Sequence, residues 1–232
     1  MIPVLAIPII SRPDLLEACV ASIDTPVARL VIVDNSPHGL GDAARSACPP
    51  AVRELCVTRP PSNLGYPGSI NHVIRTHADA PWWGIANADV VFGPGDLATL
   101  DTVMAEPGPK WVGIEDWRAF GLSFEAVERV GLWDENFWPA YCEDADYERR
   151  CSLAGVPWGV IRGSTTHIRS VTIQEGRYAQ RNATTYPANV AYYFRKWGGH
   201  LRGGETYSTP FNRGGSVADW ALDIRRVRDQ QW

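Results

Sequence analysis

Val4-Leu5-Ala6-Ile7-Pro8-Ile9-Ile10 runs directly into Ser11-Arg12-Pro13-Asp14, and Leu30-Val31-Ile32-Val33 runs into Asp34-Asn35-Ser36-Pro37. An unbroken apolar run of this kind suits a strand covered on both faces, as in a parallel sheet. The polar segment after the first run has the parts of a helix start: a capping hydroxyl on Ser11, an early Pro13 and an acid at Asp14. Leu15, Leu16, Cys19, Val20 and Ile23 follow at helical spacing. Buried strand, helix and second buried strand with a polar tip form one β-α-β unit, and that unit decides the fold class.

The same rhythm continues outward. A short helix near Ala43 and a strand near Leu55-Cys56-Val57 come next. Asn63-Leu64-Gly65-Tyr66-Pro67-Gly68-Ser69 is a glycine-bearing loop that opens a helix through Ile70, Val73 and Ile74. Trp82-Trp83-Gly84-Ile85-Ala86 is a fourth strand, ending in Asn87-Ala88-Asp89. Asp96 to Met104 has helical character, and Trp111-Val112-Gly113 returns as a strand. The alternation predicts an α/β fold: a Rossmann-like, mostly parallel central sheet with helices on both faces. Right-handed crossovers then align the strand carboxyl ends along one edge, where such sheets bind ligands.

Beyond residue 115 the rhythm changes. Phe120 to Ser123 is expected as a short strand, Phe124 to Val130 as a short helix, Asp144 to Ala154 as a helix with Tyr147, Cys151 and Ala154 inward, and Val160-Ile161 as a last strand. From about Ser170 the pattern is irregular, apart from a helix-like stretch near Val190 to Trp197. At 232 residues and 45% apolar content the chain has room for one large domain, or one domain with an appendage. A net charge of −4 gives no reason to expect nucleic acid as a partner. No run approaches a membrane span, and the start Met1-Ile2-Pro3-Val4-Leu5 lacks the basic region of a signal peptide. Five cysteines, none in a C-x-x-C pair, argue against a zinc site. The expectation is a cytoplasmic chain with reduced thiols.

Three polar tips follow expected strands: Pro8 to Arg12, Asp34-Asn35, and Asn87-Ala88-Asp89. Strand-end carboxylates beside a glycine loop suit a nucleotide whose phosphates need a cation. Taken singly, Asp34 is equally an Asx-turn closing a strand, and the glycines mark any tight turn. Downstream, Gly131 to Tyr147 gathers carboxylates at a helix start among large aromatics. Such a cluster is either dipole compensation or a sugar site with a catalytic base.

As an ordered set these residues resemble family 2 glycosyltransferases of the GT-A fold. The resemblance rests on Pro8 to Asp14 followed by Val31-Ile32-Val33-Asp34-Asn35, on Asn63-Leu64-Gly65 with Gly68 and Asn71, on Asn87-Ala88-Asp89 at the place of the D-x-D metal motif, and on Val130-Gly131-Leu132-Trp133-Asp134-Glu135 leading to Glu143-Asp144-Ala145-Asp146-Tyr147, with Arg150 and Gly155 beyond. It covers roughly residues 3 to 170. It implies a GT-A catalytic domain over 1–170, with a nucleotide-sugar half to about 115 and an acceptor half over about 116–170. Residues 171–232 would be a helical and irregular C-terminal extension packed on that domain, or a dimerisation element giving a homodimer.

The resemblance further implies an inverting transfer of a sugar from a nucleoside diphosphate donor to an acceptor hydroxyl. Asp34 and Asn35 would hold base or ribose, helped by Pro8, Ser11 and Arg12. Asn63, Gly65, Gly68, Asn71 and Asn87 would line the nucleotide side. Asp89 would bind Mn²⁺ or Mg²⁺, with His167 as a further metal ligand. Asp144 would be the general base, and Glu143 would orient it, bind the acceptor or simply cap the helix dipole. Trp117, Trp133, Trp138 and Tyr141 are candidates for sugar stacking. Arg12, Arg162 and Arg169 are candidate phosphate contacts. The acceptor would be a glycan, a protein or a small soluble molecule. Two other readings stand beside this one. One is a sugar-binding module of the same fold without turnover. The other is a sugar-phosphate nucleotidyltransferase, disfavoured because Pro8-Ile9-Ile10-Ser11-Arg12-Pro13 lacks the expected Gly-rich, Arg-Lys-bearing loop.

Overall fold

The computed structural model describes residues 1–168 and 176–220. Its centre is a seven-stranded sheet built from β1 (Ile2–Ile9), β2 (Val27–Asp34), β3 (Val52–Thr58), β4 (Trp82–Ala86), β6 (Trp111–Ile114), β7 (Asp116–Ser123) and β8 (Trp158–Ile161), in the order β3-β2-β1-β4-β7-β6-β8. Neighbours pair in parallel except for β7, which runs antiparallel to both β4 and β6. β7 is longer than the expected strand at 120–123, because Asp116 to Ala119 continue the ladder beside β6 and β4.

The apolar strands divide their side chains between two faces, as period-2 geometry requires. Val4, Ala6, Val31 and Val33 face α3 (Gly65–Thr76), α5 (Phe124–Val130) and α6 (Glu143–Leu153). Leu5, Ile7, Ile9, Leu30 and Ile32 face α1 (Pro13–Ala21), α2 (Ala43–Ala47) and α4 (Asp96–Ala105). Helices therefore cover both faces, as expected. Trp83, Trp111 and Tyr147 are fully buried in the first layer. Each such aromatic contributes about 4–6 kcal/mol of gross apolar burial. The five cysteines are free thiols.

The first helix starts differently from its sequence pattern. Arg12, not Ser11, is the capping position; it sits at φ 58° without a side-chain cap, and its carbonyl accepts from Leu15 and Leu16. Asp14 turns back to the Arg12 guanidinium at 2.7 and 2.9 Å. Two further strands, β5 (Val90–Val91) and β9 (Thr166–His167), form a small antiparallel pair that no local pattern announces.

The largest departure is α7 (Gly176–Trp197), a 22-residue helix where only its last third had helical character in the sequence. Pro187 inside it removes a backbone donor. Packing overrides that cost: Tyr193 and Trp197 are fully buried against Phe137, Cys142 and Ala145. Lys196, 5% exposed, reaches Asp134 at 2.7 Å and Asp146 at 2.6 Å. Asp146 also accepts from Trp197 Nε1 and from Arg150, each at 2.9 Å. Burial alone would raise the Asp134 carboxyl, but the Lys196 ammonium, its hydrogen bond and those from Asn136 outweigh it and hold it at about 2. No helix among the described residues is long and apolar enough to cross a membrane.

Candidate active site

A cavity of about 450 Å³ opens along the carboxyl edge of the sheet. The end of β1 supplies Pro8, Ile9, Ile10, Ser11 and Arg12. Asn35 follows β2; Asn63, Gly65 and Tyr66 come from the start of α3. Asn87, Ala88 and Asp89 follow β4, with His167 from β9 beside them. Trp117 and Arg118 on β7, the loop Pro139-Ala140-Tyr141, and Glu143 and Asp144 form the opposite wall. Tyr178, Arg181 and Asn182 of α7 close the remaining side.

The nucleotide-side loops are held by internal bonds. Asn35 accepts from the Leu64 N–H at 2.9 Å and donates to Ser69 Oγ at 2.8 Å. Asn63 Oδ1 accepts from the Gly65 N–H at 2.8 Å. Gly65 has φ 71°, and a Cβ there would stand 2.8 Å from both Pro139 O and Trp138 Cδ1. Only glycine lets the Trp138-Pro139 segment seat on the helix start, where the Tyr66 N–H donates to Pro139 O at 2.7 Å.

Asp89 and His167 are brought together by the β5–β9 pair, in which Val90 stands opposite His167 and the Ile168 N–H donates to Asp89 O at 3.0 Å. His167 Nε2 lies 3.0 Å from Asp89 Oδ1. Nε2 is buried and makes no hydrogen bond. A carboxylate oxygen and an imidazole nitrogen converging in this way fit a borderline divalent cation. Among the described residues no group of three or more His, Cys, Asp or Glu side chains is placed to hold a metal ion; two converge here.

Across the cavity, α6 begins with Glu143 and Asp144. Asp144 Oδ2 accepts from Arg202 Nη2 at 2.8 Å, and Arg202 Nε also donates to Glu148 at 3.1 Å. The loop carrying Arg202 is itself tied: Glu205 accepts from the Arg202 and Gly203 N–H groups at 2.6 and 2.8 Å and from Tyr193 Oη at 2.5 Å. Glu143 is buried and its Oε2 has no partner. Burial first, and the adjacent Asp144 charge second, push its carboxyl well above the usual range.

Some expected residues lie elsewhere. Asp34 does not line the cavity: its carboxylate accepts from the Ser36 N–H, Ser36 Oγ and Gly41 N–H at 3.0, 2.6 and 2.8 Å, the closed turn that the strand end also allowed. Asn71 is buried between Trp133 and Glu135, accepting from the Trp133 N–H at 2.9 Å and donating to Trp133 O and Glu135 at 2.8 Å. Gly68 sits within α3 under Leu64. Trp133 is core, stacked on Tyr147 at 4.3 Å. Trp138 stands behind the wall, its Nε1 donating to Asn63 O at 3.1 Å and its ring beneath the Arg181 guanidinium. Trp117 and Tyr141 do line the cavity. Arg162 faces Glu115 at 3.5 Å, and Arg169 lies outside the described residues. Sequence reasoning left out Tyr66, though it stands inside the quoted glycine loop. It also left out Arg118, Tyr178, Arg181, Asn182 and Arg202, which no local pattern marks.

No family model matches this chain, and no curated protein matches it in sequence. Solved structures do match in fold. Glucosyl-3-phosphoglycerate synthase from Mycobacterium tuberculosis, in complex with Mn²⁺, UDP-glucose and phosphoglyceric acid, aligns at TM-score 0.53 and 11% identity over 81% of this chain and 79% of its own. Mannosyl-3-phosphoglycerate synthase from Rubrobacter xylanophilus aligns at 0.55 and 13%, covering 84% of this chain and 74% of its own. S. aureus TarS, residues 1–349, aligns at 0.51 and 13% over 69% and 58%. The fold of this chain is the GT-A fold.

Proposed function

We propose that this chain is an inverting glycosyltransferase that moves a sugar from a nucleoside diphosphate to an acceptor hydroxyl. The carrying observation is that one cavity holds the Asp89–His167 pair on one wall and Asp144 on the other. The acceptor hydroxyl passes its proton to the Asp144 carboxylate while its oxygen bonds to the anomeric carbon. The bond from that carbon to the diphosphate oxygen breaks, and the nucleoside diphosphate leaves with the electron pair. Attack opposite the leaving group by a single base-assisted nucleophile inverts the centre. Arg202 fixes the Asp144 carboxylate from outside.

Asp89 and His167 would hold Mn²⁺ or Mg²⁺. When bound, such a cation supplies Lewis-acid neutralisation of the departing diphosphate, worth several kcal/mol in reactions of this type. The M. tuberculosis neighbour's complex with Mn²⁺ and UDP-glucose supports the cation and donor classes. Pro8, Ser11, Arg12, Asn35, Asn63 and Gly65 would form the nucleotide side. The acceptor would be a glycan, a protein or a small molecule; the phosphoglyceric acid held by that neighbour makes small anionic alcohols the first to try. Keeping both Asp89 and Asp144 in one cavity favours turnover over a purely binding module.

A thermal-shift screen of UDP-, GDP-, ADP- and dTDP-hexoses with and without Mn²⁺ tests the class, because a ligand specific to the native state raises Tm. At least one donor should stabilise the chain in a Mn²⁺-dependent way; no shift with any donor contradicts the reading. The anomeric proton coupling of the transferred sugar, followed by NMR, tests the stereochemistry. A product with the donor's configuration excludes Asp144 as the base of a single displacement.

A further inference from the structure

Asp89 and His167 come from distant parts of the chain, and the ladder that joins them is short. β5 and β9 pair through two residues each, Val90 with His167 and Val91 with Thr166. A two-stranded pair of this kind is marginal by itself. At the Asp89 end it is closed by the Ile168 N–H on Asp89 O. At the far end it is closed by a carboxylate that the transfer step does not use.

That carboxylate is Asp96, buried in the first turn of α4. Its Oδ2 accepts from the Ser164 N–H at 2.9 Å, the Thr165 N–H at 2.8 Å and Thr165 Oγ1 at 2.6 Å. Thr165 Oγ1 in turn accepts from the Gly93 N–H at 3.1 Å, and the Asp96 N–H donates to Gly93 O at 3.1 Å. A closed ring of bonds therefore joins the chain leaving β5 to the chain entering β9. Two glycines make room for it: a Cβ on Gly163 would overlap the Asp96 carboxylate, and one on Gly93 would stand 2.7 Å from Ser164 C. The β5 side has further supports, because the Phe92 N–H donates to Ser22 Oγ at 3.0 Å and the Gly95 N–H to Asp24 at 2.7 Å. The helix dipole alone favours an acid in a first turn, but it calls for no partner. Three donors on one oxygen, two of them backbone groups beside β9, fix where β9 lies and hence where His167 meets Asp89.

We propose that Asp96 is a positioning residue for the cation site: by clasping Ser164 and Thr165 it sets His167 against Asp89, so that the two ligands converge only while the clasp is made. This rests on the transferase reading and its cation. The test is Mn²⁺ binding by the full chain without nucleotide, read from the paramagnetic resonance of free Mn²⁺. It compares wild type, Asp96→Ala, Asp96→Asn, His167→Ala and the double variant of Asp96→Ala with His167→Ala. Asp96→Ala should weaken Mn²⁺ binding about 10- to 100-fold. Asp96→Asn keeps one oxygen for the three donors and should recover part of that loss. In the His167→Ala background, Asp96→Ala should change Mn²⁺ affinity by less than about twofold, because the ligand it positions is gone. Without metal, NMR should show faster amide exchange at Ile168 in Asp96→Ala, while amides of β1 and β2 keep their protection. Unchanged Mn²⁺ affinity or unchanged Ile168 exchange in Asp96→Ala overturns the proposal. Equal loss of Mn²⁺ affinity in both backgrounds also overturns it, since Asp96 would then support the fold at large. If Asp96→Ala does not fold, Asp96→Asn carries the same cycle. Failure of wild type to bind Mn²⁺ instead rejects the Asp89–His167 cation on which the proposal rests.

Discussion

At the scale of single residues, Asp144 and Arg202 carry the sharpest consequence. Asp144→Asn keeps size and the contact to Arg202 but removes the proton acceptor. Turnover should fall about 10²- to 10⁴-fold with donor affinity retained; wild-type turnover by rapid-quench kinetics removes Asp144 from the step. Arg202 acts by positioning. Arg202→Ala should lower kcat while donor affinity holds, and Arg202→Lys should restore part of it, because an ammonium can still pair with Asp144 but not also span to Glu148 in the same fork. Equal loss of kcat and of donor affinity in Arg202→Ala would mark it as a fold element instead. His167→Ala should weaken the response to Mn²⁺. An identical metal titration in that variant returns the Asp89–His167 contact to a simple strand-pair feature.

Elements explain why α7 matters. Its buried stripe locks onto α6 and the segment before it through Lys196 with Asp134 and Asp146, and Trp197 with Asp146, and its first half brings Tyr178, Arg181 and Asn182 to the cavity. The Tyr178 hydroxyl donates to Ile10 O at 3.1 Å, which ties the helix to the end of β1. Lys196→Met would leave Asp134 without its cation and Asp146 with Arg150 alone, and should cost about 3–5 kcal/mol. That corresponds to a fall in Tm of roughly 6–20 °C; a change under about 2 °C would show that the ion cluster does not fasten the helix. The same cluster gives a pH signature. The folded Asp134 sits at about 2 against an ordinary 3.8, so its contribution is complete above the ordinary value and is lost as pH falls from about 4 to about 2. Acid unfolding of Lys196→Met should lack that component, so the wild-type advantage in urea midpoint shrinks across this window.

For the molecule as a whole, the parallel half of the sheet was legible because buried strands read as unbroken apolar runs, Val4 to Ile10 and Leu30 to Val33 among them. The cavity-lining residues Asn35, Asn87 and Asp89 were legible because they follow strands whose carboxyl ends share one edge, and Asn63 because it stands in a glycine-bearing loop. What pattern could not reveal is side-chain closure: Asp34 is consumed by its own turn, and Asn71 by a loop far along the chain. Nor could it reveal long-range pairing, as in β5 with β9, or a helix carried through Pro187 by tertiary packing. The transfer chemistry stands or falls on Asp89 anchoring a cation for the donor. The direct measurement is a calorimetric titration of the best-stabilising nucleoside diphosphate sugar into wild type and Asp89→Ala, each with Mn²⁺ and with chelator. Wild type should bind far more tightly with Mn²⁺, and Asp89→Ala should bind equally weakly in both conditions. Mn²⁺-dependent binding of undiminished strength in Asp89→Ala would contradict it.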